Sequence, residues 1–180
     1  MPVTPHDITG FWRAAGPAKW FKKDPKFDAA IQLKFEPVHH MAALGRHDAW
    51  VSSAEGVLAL LILLDQFPRN LYRGTGHAFA TDGKARAIAR HAVASGQDLE
   101  IEPLLRPFVY LPFEHAEDMA DQLESLRLCT ALADAETLKY AQLHHDIIAR
   151  FGRFPHRNAA LGRVSTPEEQ AFLDEGGFAG

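Results

Sequence analysis

The sequence predicts an all-α protein of about eight helices joined by short Pro/Gly loops, and three observations carry that prediction. Apolar residues recur at helical spacing along most of the chain. Helix-start signatures recur as well, from Thr4-Pro5 and Asp24-Pro25 to Thr166-Pro167-Glu168-Glu169. No stretch alternates with period two, and no Asn-Gly or Asp-Gly hairpin joins two β-rich runs.

The elements follow in order. Thr4-Pro5 opens a short helix carrying Phe11 and Trp12, closed by Gly16-Pro17. Asp24 caps the next, in which Phe27, Ile31, Phe35, Val38 and Ala42 share a face; Pro37 inside it predicts a kink or a split. Ser52-x-x-Glu55 is a capping box before Val57–Leu64, a run apolar on every face and so a central helix. Phe67-Pro68 should end it, because a residue before proline avoids helical geometry. Thr81-Asp82 caps a helix from about Gly83 to Ser95, stopped by Gly96. Glu102-Pro103 begins a short helix through Tyr110, which Pro112 interrupts. A longer one follows from about Glu114 to Ala133, with Met119, Leu123, Leu126 and Thr130 as its stripe. From Asp134 or Ala135 another carries Tyr140, His144, Ile147 and Phe151 on one face and stops at Gly152. Thr166 then opens the clearest helix of all, with a capping box and Pro at its first position.

The 180 residues, 47% of them hydrophobic, suit a single domain over residues 1–180 with a proper core, with two related halves (1–100 and 101–180) as a variant. A single cysteine, Cys129, excludes an intrachain disulfide framework and fits a reducing compartment. The first ten residues have no basic, apolar leader pattern, and Val57–Leu64 is too short to cross a bilayer, so the expected location is the cytoplasm.

Net charge is −4, which argues against general nucleic-acid coating. The charges are unevenly spread. Gln66–Thr81 holds Arg69, Arg73 and His77 with no acid, and Ile147–Pro167 holds Arg150, Arg153, His156, Arg157 and Arg163 with no acid. Each island contains one phrase. Phe67-Pro68-Arg69-Asn70, with Arg73 and Thr75 after it, is echoed by Phe154-Pro155-His156-Arg157-Asn158, with Arg163 and Ser165 after it. Arginine forks on proline-stiffened loops suit carboxylate or phosphate. The alternative is structural: the arginines cap helix ends and pair with acids. Asp65, at the foot of an apolar helix, needs a cation, and Arg69 or Arg73 is the natural one; Arg73, Arg153 and Arg157 are the stronger ligand candidates, and Arg69 is the first to be given up.

Glu114-His115 and His144 are candidate acid–base groups. Their structural readings are a first-turn acid for Glu114 and a satisfied core histidine for His144. His144-His145-Asp146 is no chelating set, because neighbouring helix positions diverge. Gly74-Thr75-Gly76 lacks the lysine and spacing of a phosphate loop, and Cys129 has no activating neighbour. No metal and no cofactor is expected.

Ala59 through Thr75, followed by Ala78-Phe79-Ala80-Thr81-Asp82, resembles the bacterial family called domain of unknown function 924. So do Tyr110-Leu111-Pro112-Phe113-Glu114-His115, His144 through Asn158 with Leu161-Gly162-Arg163, and the pairs Phe11-Trp12 and Trp20-Phe21. The resemblance covers nearly the whole chain and implies a tetratricopeptide-like array of antiparallel helices. It implies no reaction. Two small departures are a short region before Trp20 and Ala116, where members commonly carry Ser.

The leading expectation is a binding module whose groove is lined by Arg69, Arg73, Arg153, Arg157, His115 and His144, with Asn70, His156 and Asn158 beside them. Its partner is an anionic small molecule, phosphorylated or carboxylated, or an acidic peptide. One alternative is an enzyme in which the arginines hold an anionic substrate while Glu114, His115 or His144 moves a proton. Another is RNA binding with Phe67, Tyr72 and Phe154 as stacking rings, which the net acidity disfavours.

Overall fold

The computed structural model describes residues 3–178. The protein is all-α, with no strand among the described residues. Its helices are α1 (Pro5–Ala15), α2 (Pro17–Trp20), α3 (Pro25–Ala43), α4 (Ala54–Leu61), α5 (Phe67–Leu71), α6 (Asp82–Ser95), α7 (Gln97–Glu100), α8 (Pro107–Glu114), α9 (Met119–Leu132), α10 (Ala135–Phe151) and α11 (Pro167–Asp174). Eight of these have seven residues or more. None is long and apolar enough to cross a membrane. The chain forms two compact units, one of Met1–Arg73 with His77–Pro112, the other of Gly74–Gly76 with Phe113–Gly180.

In the first unit α4 is the central helix, and every residue from Val57 to Leu64 is at most 3% exposed. An aromatic layer packs near it: Trp12 lies against Trp20, Phe27, Phe67 and Phe108, and Phe35 against Phe67. The cap of α4 is Ser53, one residue later than the capping-box pattern suggests. Ser52 instead ends a 3₁₀ turn, Asp48–Ser52, and Glu55 turns to the Thr9 hydroxyl at 3.0 Å and His6 at 3.1 Å. Gly56 is required there, because a Cβ would lie 2.0 Å from the Trp50 carbonyl.

Three prolines behave differently from expectation. Pro37 does not break α3; it sits on the solvent face, where water can satisfy the Leu33 carbonyl that its missing N–H leaves. Pro68 does not stop the chain either. A π-helical turn, Ile62–Gln66, precedes it, and the Phe67 amide reaches back to the Ile62 carbonyl. The carbonyls released by this wider turn find side-chain donors: His39 Nδ1 reaches Leu63 O at 2.8 Å, and the Thr81 hydroxyl donates to Leu64 O at 2.5 Å. Thr81 therefore serves this carbonyl rather than its own helix end, although it is the N-cap residue of α6. Pro112 lies inside α8. Phe108, Val109, Tyr110, Leu111 and Phe113 are all at most 8% exposed. At ~1.5–3 kcal/mol for each large apolar side chain, that burial outweighs the ~3 kcal/mol cost of an interior proline.

The second unit is built on the α9–α10 hairpin. Asp118, rather than Glu114, precedes the long helix, its carboxylate accepting from the Asp121 amide at 3.1 Å. The chain turns between α8 and α9 because Gln122 Nε2 gathers the carbonyls of Glu114 at 2.7 Å and Ala116 at 2.8 Å. Gln122 and Ser125 are wholly buried, while Leu123 of the expected stripe is 55% exposed. Polar residues with partners have taken the core positions that hydrophobic counting would give to leucine. On α10 the inward residues are Ala141, His144, Ile147 and Ile148; Tyr140 faces outward. Ile147, Ile148 and Phe154 form the core of this unit, with Met119, Leu143, Phe151, Phe172 and Phe178 packed on it. Cys129 is buried, and burial pushes its thiol up to about 12.

Candidate functional site

The two echoing phrases fall in different units and do the same structural work in each. In the first unit Arg69 lies at the start of α5 beside the π turn. It donates to the Asp65 carbonyl, stands 3.2 Å from the Asp65 carboxylate, and makes a forked pair with Asp82 at 3.1 and 3.0 Å. Burial works against its charge, but Asp65 and Asp82 more than offset that and raise its pKa. Asp65 is fully buried, so the cation its position demanded is Arg69, with Gln66 Nε2 as a second donor at 2.5 Å. Asn70 Nδ2 donates to Asp28 at 2.8 Å, and Arg73 grips the same carboxylate at 2.8 and 3.1 Å. Arg69 and Arg73 are thus engaged by acids from α3, α4–α5 and α6. Tyr72 donates to Glu36 at 3.2 Å; burial, then Glu36, pushes the phenol up to about 12.

In the second unit Arg153 forks onto Glu169 at 2.5 and 2.7 Å. Asn158 Nδ2 donates to Ser165 at 3.0 Å and to Glu169 at 3.3 Å. Arg163 pairs with Glu117 at 2.6 and 2.9 Å and donates to Asn158 Oδ1 at 2.9 Å. Each Arg-Asn phrase therefore drives its asparagine and a nearby arginine onto one shared carboxylate, Asp28 or Glu169. Arg153 holds the Glu169 carboxyl down at about 2. Burial would raise Glu117, but the bonds from Arg163 and the Phe154 amide overcome it and leave its pKa lowered. Asp28, Asp82, Glu117 and Glu169 are the partners that sequence reasoning missed. Only Glu169 carried a local sign, since it is also the third residue of the α11 capping box.

A different cluster remains, wholly in the second unit. Glu114 ends α8 instead of opening a helix, so the dipole disfavours its charge there. Its carboxylate lies 3.1 Å from His144 Nδ1, with Glu114 3% and His144 6% exposed. The same nitrogen is 2.9 Å from the Tyr140 carbonyl. Two acceptors at Nδ1 place the proton there and leave Nε2 with the lone pair. The His115 and His144 rings are 6.2 Å apart, and Arg157 Nη1 donates to the His115 carbonyl at 2.9 Å. Arg157 is buried, with Cζ 4.4 Å from the Phe154 ring centroid. His156 Nδ1 is buried and has no hydrogen-bond partner among the described residues. Burial first, then His115, drops His144 to about 3; burial first, then Arg157, drops His156 to about 4. Both imidazoles are neutral at pH 7. Among the described residues, no group of three or more His, Cys, Asp or Glu is arranged to hold a metal. Phe67 and Phe154 are fully buried and offer no face for stacking a base.

The fold and this site define an all-helical protein in which Arg69, Arg73, Arg153 and Arg163 pair with internal acids, and in which Glu114 at the end of α8 meets His144 within α10. The chain belongs to the bacterial family of unknown function DUF924, whose model matches residues 8–177. It is also similar to a solved structure, that of the protein of unknown function ATU0120 from Agrobacterium tumefaciens. That likeness has 49% identity, a TM-score of 0.93, and covers 96% of this chain and 97% of the other. No curated protein matches the chain.

Proposed function

We propose that this protein binds a small anionic molecule, phosphorylated or carboxylated, at the His144–His156–Arg157 cluster of the second unit. The observation that carries this reading is the buried, unpartnered Nδ1 of His156 beside the Arg157 cation. Leaving such a group unsatisfied costs ~1–3 kcal/mol, and in the tautomer with hydrogen on Nδ1 it would donate a hydrogen bond to an anionic oxygen. Arg157 lowers the pKa of both His144 and His156. The Arg157 charge thus reaches both rings and has the sign that favours an anion, while Glu117 acts in the opposite sense on His156 and Glu114 stands 3.1 Å from His144. Burial of His144 and Arg157 to 6% exposure suits a small molecule better than a peptide chain or RNA. Arg69, Arg73 and Arg153 serve as locks and stand outside the site.

A second reading is supported by the 3.1 Å approach of Glu114 to His144, which would orient Nε2 as a base on the anionic substrate. Against it, a histidine at about 3 is a weak base at neutral pH, where proton transfer is most efficient with a pKa near 7. Binding without proton transfer is favoured.

Thermal unfolding with phosphate, acetate, citrate and chloride at fixed ionic strength tests the reading. At a hundredfold excess over Kd, a binding anion adds ~2.7 kcal/mol, or roughly 5–10 °C for a chain of this size. His156→Ala and Arg157→Lys should lose that gain. If no anion raises the wild type beyond chloride, or all raise the variants equally, the proposal fails.

A further inference from the structure

Four rings of the second unit close a circuit. His144 lies 5.4 Å from Phe154, Phe154 lies 5.6 Å from His156, His156 lies 5.3 Å from Phe178, and Phe178 lies 4.7 Å from His144. Three of these rings are fixed by the fold. His144 is inside α10, and Phe154 and His156 flank a proline at the 3₁₀ turn Pro155–Arg157. Phe178 is different. It follows α11 on a tail that turns at Gly176, φ 82°, and is anchored by the Gly177 amide to the Phe172 carbonyl at 2.9 Å. Its ring is only partly buried, whereas Phe154 is fully buried. The Phe178 ring occupies the slot between the His144 and His156 rings, and as hydrocarbon it gives the unpartnered Nδ1 of His156 no hydrogen-bond partner.

We propose that the slot is built for the flat aromatic or conjugated part of an anionic ligand, and that Phe178 is the chain's own occupant of that place, displaced when the ligand binds. The inference rests on the anion-binding reading and adds the ligand's second half. The acidic head lies toward Arg157 and His156, and the planar group packs between the rings of His144 and His156. Those two rings meet Phe178 in edge-to-face contacts at 66° and 82°, an arrangement that another flat aromatic group can take over. Phe178 then competes with the planar group alone, and lowers the apparent affinity of a ligand that carries one by the fraction of time the phenyl ring occupies the slot.

The test is titration calorimetry of wild type, Phe178→Ala and Phe178→Leu with inorganic phosphate and with phenyl phosphate. Acetate against benzoate repeats the comparison for a carboxylate head. Phe178→Leu keeps apolar contact with the unit's core if the alanine variant is loosened, and circular dichroism reports the fold of both. The inference expects phenyl phosphate or benzoate to bind the variants about tenfold tighter than wild type. It expects phosphate and acetate to bind all three proteins within about twofold of one another. Adding His156→Ala should erase the gain. If the head anions bind but their phenyl forms gain nothing in either variant, the inference is overturned and the anion-binding reading stands. If no anion binds any of the proteins, both fall.

Discussion

The shared carboxylate of the second lock gives the sharpest prediction. Glu169→Gln keeps the side chain's size while removing the charge that Arg153 grips at 2.5 and 2.7 Å. The Glu169 carboxyl sits at about 2 against an ordinary 4.5. At ~1.4 kcal/mol per pKa unit that is an upper limit of ~3 kcal/mol. Arg153 is 29% exposed, so solvent screening cuts this to about 1–2 kcal/mol. The folded-state pKa is depressed, so the stabilisation is complete above about pH 4.5 and disappears as pH falls towards 2. Urea unfolding of wild type and variant at several pH values should show the variant weaker by about 1–2 kcal/mol at pH 7. The gap should hold down to about pH 5 and narrow below it. A variant as stable as wild type at pH 7, or a gap that widens in acid, would refute the lock.

Three further outcomes follow from the same geometry. His39→Phe leaves the Leu63 carbonyl of the π turn without its 2.8 Å donor and should cost ~1–3 kcal/mol, read by urea unfolding. His144 and His156 are neutral when folded and protonate from about pH 6.5 downward when unfolded, so stability falls as pH drops from 6.5 towards 4. His156→Phe should make that slope shallower by up to ~1.4 kcal/mol per pH unit. Cys129, its thiol pushed to about 12, should resist a thiol reagent at pH 8 in native protein and react fully in urea.

Much of the architecture was legible because its signals are local. The caps at Thr4, Asp24, Asp134 and Thr166 form where the sequence places them. The inward face of His144 follows from helical spacing, and the need of Asp65 for a nearby arginine follows from the helix dipole, with Arg69 rather than Arg73 taking that place. What stayed hidden depends on distant residues. The continuation past Pro68 needs Thr81 and His39 to take the freed carbonyls. The core places of Gln122 and Ser125 need partners that no hydrophobic count can see. The arginine islands look free of acid only along the chain. Asp28 is 45 positions from Arg73, and Glu117 is 46 from Arg163, so the islands are neutralised in space without a local trace. Phe178, a lone ring after Gly176-Gly177, has no periodic pattern to mark it.

In this reading the His144–His156–Arg157 cluster of the second unit receives the anion, and Arg69, Arg73 and Arg153 do not. Side-chain NMR of the histidines during a phosphate titration at pH 7 tests it most directly. Saturable shifts of the His144 and His156 signals are expected, with the exposed His6 and His91 unmoved. Saturable binding that leaves His144 and His156 unchanged, or shifts shared equally by all the histidines, would contradict it.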